Sequence, residues 1–173
     1  MDKPKSSRTL GIRSIAVFGL GKLGACIAAA LASRGFRVIG IDVDRSKTEA
    51  LAKGVAPVEE PGLQKLLRRA GSRLSATNDP REAVRHADAS FFIPPTPSLP
   101  DGSFSNEYML RAVESAAKAV HELGKRYHLF VVNSTVTPGT CDRVLRPMLE
   151  KILQGECGKK FGLCYNPEFI ALG

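Results

Sequence analysis

The chain is 173 residues long, 43% hydrophobic and 24% charged, a balance that suits a soluble globular domain with a real core. No apolar run approaches the roughly 20 residues of a membrane-spanning helix, and the polar, basic N-terminus (MDKPKSSRTLG) lacks the apolar stretch of a secretory signal. The net charge of +8 is spread over predicted helix faces such as KLLRRAGSR and ELGKRYH without interleaved aromatics, so a solvated surface that attracts a small anion is expected, with no nucleic-acid or membrane partner.

Residues 1–13 read as a basic, flexible lead-in and residues 14–173 as one domain. Ser14 to Phe18 (SIAVF) is an apolar run expected to form the first strand, and Leu23 to Ser33 a helix of small residues stopped by Gly35. Arg37 to Asp42 is a second strand; Ser46 and Glu49 have capping-box spacing and should open the next helix. EPGLQKLLRRA inserts an extra short helix before a third strand at Leu74 to Thr77. Asp79, Pro80 and Glu82 supply an N-cap, an N1 proline and an N3 acid for a helix through His86. Ala89 to Ile93 is a fourth strand, Ser105 to about Lys125 a long amphipathic helix, and Leu129 to Asn133 a fifth strand. Thr140 to Leu153 is a helix that Pro147 should kink or shorten, and Phe161 to Tyr165 is the sixth strand. Strands alternating with helices predict an α/β fold: a Rossmann-like, doubly wound parallel sheet of about six strands with helices on both faces.

Cys26, Cys141, Cys157 and Cys164 show no CxxC pair and no paired framework, so free thiols and a reducing cytoplasm are expected. His86, His121 and His128 follow no metal-ligand spacing and are read as structural or surface residues; no metal site is expected.

The most informative stretch is VFGLGKLGACIAAALASRGFRVIGID. Gly19, Gly21 and Gly24 make G-x-G-x-x-G after a strand and at the opening of a helix. The first glycine allows the tight turn, the second lets backbone approach a pyrophosphate, and the third lets helix pack on strand. The pyrophosphate then meets the free N–H groups of the helix N-terminus, around Lys22 and Leu23. Asp42 lies 18 residues after Gly24, where a carboxylate accepts hydrogen bonds from the adenosine ribose and repels a 2′-phosphate; NAD is therefore expected rather than NADP.

Three later strands end in unusual chemistry: PPTP with Thr96, NSTVTPGT from Asn133 to Thr140, and NPEF from Asn166 to Phe169. Each alone is ordinary turn chemistry. Together they put hydroxyl, amide and carboxylate groups at the edge where ligands bind in this fold, with Thr96 held by stiff prolines beside the nicotinamide half.

In order, GLGKLG, GIDVDRSKTEALAKGVAPVEEPGL, RLSATND, PPTPSLPDGS, STVTPGT and NPEF resemble the N-terminal domain of the UDP-glucose/GDP-mannose dehydrogenases, over residues 14 to 170. The resemblance implies oxidation of a nucleotide-sugar 6-hydroxymethyl to a carboxylate with two NAD, UDP-glucose being the default substrate and related UDP- or GDP-hexoses the alternatives. It assigns ribose contacts to Asp42 and Lys47, NAD contacts to Thr96 and Thr135, and a place near the reacting centre to Thr135. Glu168 would help organise a catalytic water, and Glu168, Phe169 and Ile170 would touch the sugar. Pro95, Asn133 and the pair Ala171 and Leu172 stand where the family commonly has Gly, Lys and an Arg–Glu pair. The family's nucleophilic cysteine, in a GGxC motif, and its catalytic lysine come later than these motifs. The resemblance therefore implies the cofactor domain of a larger, homo-oligomeric dehydrogenase, a domain that binds NAD without turnover. Two other readings stay open: a non-catalytic NAD-binding module that regulates a partner, and a basic nucleic-acid-binding domain supported by charge alone.

Overall fold

The computed structural model describes residues 11–100 and 102–168. The apolar runs form six strands: β1 (Ser14–Phe18), β2 (Arg37–Ile41), β3 (Leu74–Thr77), β4 (Ala89–Phe92), β5 (His128–Val132) and β6 (Phe161–Tyr165). Every pairing is parallel, and the spatial order is β3-β2-β1-β4-β5-β6. The order reverses between β1 and β4, which opens a crevice at their carboxyl ends.

The helices are α1 (Lys22–Ser33), α2 (Arg45–Ala52), α3 (Leu63–Ala70), α4 (Pro80–Arg85), α5 (Glu107–Glu122) and α6 (Arg146–Leu153). On one face, Ala28 and Ala32 of α1 cover Ile15, Val17 and Val38, while Ala25 and Ala29 join Leu51 of α2 and Leu63 and Leu67 of α3. The small residues of α1 thus allow it to lie close to both the sheet and the extra helix. On the other face, α4, α5 and α6 bury Phe18, Phe92, Phe130 and Phe161. These rings cross the switch point as a ladder, with centroids 4.9, 5.9 and 6.1 Å apart. Aromatic pairs at such spacings add about 0.5–1.5 kcal/mol each beyond their area burial.

Several boundaries differ from expectation. The cap of α2 is Asp44, whose carboxylate accepts from Ser46 N at 3.0 Å and from Ser46 Oγ at 2.6 Å, so Ser46 is a donor to the cap and not the cap. A carboxylate two residues upstream outcompetes a hydroxyl for the free amides. Asp79 and Pro80 cap α4 as the sequence indicates, Asp79 accepting from Arg81 N. The helix α5 is shorter than its amphipathic pattern, starting at Glu107 and stopping before Gly124, which has positive φ. Pro147 shortens its α-helix, which begins at Arg146 and not at Thr140. It sits in the first turn of α6, and the chain enters through a π-helical turn over Cys141–Leu145. The wider turn accommodates a ring that has no N–H to donate and would crowd the preceding carbonyls.

Among the described buried polar residues, His128 carries the one titratable side chain. It is fully buried, and its Nε2 lies 2.8 Å from Ser90 Oγ. Burial, and secondarily the Lys125 ammonium, pushes the imidazole down to about 3 from an ordinary 6.5. The folded protein holds it neutral where the unfolded chain would protonate it. Stability is therefore whole above pH 6.5 and declines as pH falls from there toward about 3, with a slope of up to about 1.4 kcal/mol per pH unit. Urea unfolding at pH 7 and pH 5 should show this loss, and a His128→Gln variant should lack it; an unchanged slope in the variant assigns the acid sensitivity elsewhere.

Candidate dinucleotide-binding site

The glycine motif is built by close backbone approach. Gly19 has φ +99°, and a Cβ there would stand 2.5 Å from the carbonyl oxygen of Ile93, where β4 leaves the sheet. A Cβ on Gly24 would stand 1.8 Å from the carbonyl oxygen of Gly19. Both are therefore required by the protein itself. Gly21 is different: it caps α1 with φ −71° and ψ −171°, and a Cβ there would meet no atom within 4 Å. The fold does not need this glycine, but a ligand lying on the helix N-terminus would. No acid occupies the first turn of α1, so the unpaired N–H groups of that turn face no negative side chain of their own helix. The Lys22 ammonium is drawn to Glu60 of the EPGL loop at 3.3 Å.

Asp42 follows β2 directly. One carboxylate oxygen accepts from Leu20 N at 2.7 Å and the other from Asp44 N at 2.9 Å, which locks the side chain beneath the glycine turn. Each oxygen keeps a lone pair for a second donor. Lys47, one turn into α2, stands 3.8 Å from Asp42 and 4.0 Å from Asp44. The hydrogen bonds from Ser46 hold the Asp44 carboxyl below its ordinary value.

Across the switch point, the loops after β4, β5 and β6 are laced together. Ser134 Oγ donates to Pro94 O at 2.6 Å, Asn133 Nδ2 to Asn166 O at 3.0 Å, and Asn166 Nδ2 to Glu168 Oε1 at 3.2 Å. Asn106 Nδ2 reaches Thr140 Oγ1 at 3.0 Å and ties the proline loop to the β5 loop. The prolines leave few backbone donors, so side chains from the neighbouring loops fix the arrangement. Asn133 is buried, and its Oδ1 has no hydrogen-bond partner among the described residues.

These two halves enclose one cavity of about 1070 Å³, at the upper end of the roughly 300–1,000 Å³ usual for small-molecule and cofactor sites. Gly19, Gly21, Lys22, Leu23, Gly24, Asp42, Lys47, Thr96, Thr135 and Glu168 all line it, so the structure brings together every described residue that the sequence singled out for a site. Phe169 and Ile170, with Ala171 and Leu172, lie outside the described residues. The cavity also takes in Ser134 of the NSTVTPGT segment and residues the sequence did not point to: Val43, Asn78, Tyr108, Arg111 and Ser115. Of these, Tyr108, Arg111 and Ser115 have helical i, i+3, i+7 spacing, but a polar stripe on a helix looks the same whether it faces a ligand or water. Among the described residues there is no cluster of three or more His, Cys, Asp or Glu that could hold a metal, and no helix is long and apolar enough to cross a membrane.

The sequence pattern of the UDP-glucose/GDP-mannose dehydrogenase family, NAD binding domain, matches residues 13–173. The chain belongs to this family. It carries the family's NAD-binding domain, and its cofactor is NAD. The chain is 40% identical over 158 residues to a GDP-mannose 6-dehydrogenase from Pseudomonas aeruginosa, covering 90% of this chain and 36% of that protein. A UDP-glucose 6-dehydrogenase from Haloferax volcanii is 38% identical over 163 residues, covering 92% of this chain and 37% of the relative. The fold superposes on a crystal structure of a ternary complex of GDP-mannose dehydrogenase from Pseudomonas aeruginosa with a TM-score of 0.85 at 39% identity, over 91% of this chain and 36% of that one. The chain thus spans little more than a third of the length of these relatives.

Proposed function

We propose that residues 14–173 act as the cofactor domain of an NAD-dependent nucleotide-sugar 6-dehydrogenase, which oxidises a UDP- or GDP-hexose such as UDP-glucose or GDP-mannose to the uronate. The observation that carries the proposal is a single cavity lined at one end by Asp42 and Lys47 and at the other by Thr96, Thr135 and Glu168, with the open space over Gly21 between them. That length and polarity suit an adenosine, a pyrophosphate and a nicotinamide in sequence. Identities of 40% and 38% to relatives named for GDP-mannose and UDP-glucose do not separate the two sugars.

In this reading the α1 N-terminus and the Gly21 backbone hold the pyrophosphate, and Asp42 accepts from the ribose hydroxyls with Lys47 beside it. NAD, when bound, supplies the hydride acceptor. The loop side chains do the positioning: Thr96 and Thr135 offer hydroxyls at the nicotinamide end, and the unpartnered Oδ1 of Asn133 is an acceptor there. Glu168, held by Asn166, organises a water at the sugar side, and Glu168, Phe169 and Ile170 are the residues assigned to contact with the sugar. The nucleophilic thiol and the lysine of the family's chemistry belong to the remaining two thirds of the enzyme's length, as do the nucleotide-sugar subsite and the homo-oligomer contact; the working compartment is the cytoplasm. The isolated chain binds NAD without oxidising the sugar. Calorimetric titration of NAD and NADP into the folded chain tests this. Binding of NAD, with weaker binding of NADP, is expected; a folded chain that takes up neither removes the proposal for this domain on its own.

A further inference from the structure

The helix α5 has two faces with different work to do. Met109, Val113, Ala116, Ala117 and Val120 are buried in the core. Tyr108, Arg111, Ala112 and Ser115, at i, i+3, i+4 and i+7, form a second stripe that lines the cofactor cavity. Most of that stripe is unexplained by packing, since Tyr108 is 46% exposed and the Arg111 side chain 73% exposed.

We infer that Tyr108 and Arg111 form the wall against which the adenine base of the cofactor lies, an inference that rests on the NAD-binding reading above. Among the described residues, Val43 and Tyr108 are the exposed large apolar side chains that line this cavity. Val43 follows the ribose-binding Asp42, so a base attached to that ribose emerges beside it. Asn78 and Pro80 line the same cavity, Pro80 opens α4, and α4 packs against α5. The stripe on α5 therefore adjoins the adenosine end. The chemistry fits a base better than a phosphate. Arg111 is paired with Glu107 at 2.6 Å, so its charge is already compensated and what it presents is a flat guanidinium face. One helical turn away, the phenol supplies a second flat surface, and Ala112 leaves room between the wall and the sheet. The Ser115 hydroxyl is occupied by a bond to Ala112 O at 2.8 Å, so it does not recruit a phosphate.

The test uses Tyr108→Ala, Tyr108→Phe and Arg111→Ala in the full chain, with calorimetric titration of NAD, of ADP-ribose (the adenosine half with its pyrophosphate) and of nicotinamide mononucleotide. Tyr108→Ala is expected to weaken NAD and ADP-ribose by the same factor, about 5- to 50-fold, as loss of a stacking partner for a base does. Tyr108→Phe should restore both, and Arg111→Ala should weaken both by about 2- to 5-fold. Nicotinamide mononucleotide should be indifferent to all three. Because Tyr108 is half exposed, the variants should melt with the wild type. Weakened NAD with unchanged ADP-ribose would move the wall to the nicotinamide half, and unchanged affinity for both would remove it from the site; either result overturns the inference while the NAD-binding reading stands. A wild-type chain that binds neither NAD nor ADP-ribose overturns that reading as well.

Discussion

Gly21→Val is expected to fold like the wild type and lose about 10- to 100-fold in NAD affinity, whereas Gly24→Ala, one methyl larger, should lose about 3 kcal/mol of stability. The two glycines share a motif but answer to different constraints. At Gly24 the new Cβ would stand 1.8 Å from the Gly19 carbonyl oxygen, a backbone atom that cannot swing aside without moving the turn against β4. At Gly21 the backbone is extended and a Cβ meets no protein atom within 4 Å, so valine costs only its poorer fit as an N-cap, about 1 kcal/mol. The volume it fills is that of the ligand. Urea unfolding and NAD titration on both variants separate the cases. If Gly21→Val binds NAD as well as the wild type does, the pyrophosphate does not cross that position. If Gly24→Ala is as stable as the parent, the packing of α1 on the first turn is softer than its geometry indicates.

Asp42→Ala should weaken NAD by about 10- to 100-fold, the loss expected when hydrogen bonds to a charged acceptor disappear, and should bring NADP close to NAD in affinity. This carboxylate has two tasks, which complicates a single variant. It accepts from Leu20 N at 2.7 Å and from Asp44 N at 2.9 Å, so alanine also strands the amide of a fully buried residue. A stability loss of about 1–3 kcal/mol should accompany the change in binding. Asp42→Asn separates the tasks. It keeps one acceptor oxygen for the turn while removing the charge that repels a 2′-phosphate, so NADP discrimination should fall while more of the stability is kept. Reduced NAD affinity with discrimination intact in both variants would mean that Asp42 acts through the Leu20 turn and not on the ribose.

The order and kind of the secondary elements were legible from local chemistry. Short β-branched and aromatic runs, small-residue helices and the Asp79–Pro80 cap each act over a few residues, and such signals survive in any tertiary context. The misreadings have local causes as well. Ser46 and Asp44 compete for the same amides, and the winner depends on a turn that Asp42, two residues upstream, fixes by accepting from Asp44 N. At Pro147, a spacing rule for helices cannot anticipate that the chain widens into a π turn before the ring arrives.

By itself, the sequence determined the family, the parallel Rossmann-like fold and the cofactor, because G-x-G-x-x-G, the acid after the second strand and the STVTPGT and NPEF segments are chemical requirements written over contiguous residues. It also marked ten residues that line one cavity, since strand ends in this topology converge on one edge. Only the tertiary structure decided which glycine belongs to the fold and which to the ligand. Steric need is measured against atoms remote in sequence, such as Ile93 O beside Gly19 and the empty space beside Gly21. It also decided that α5 supplies a wall of the site. Whether a polar helical stripe faces water or a crevice depends on how that helix packs against α4 and the sheet, and no local pattern in the chain records it.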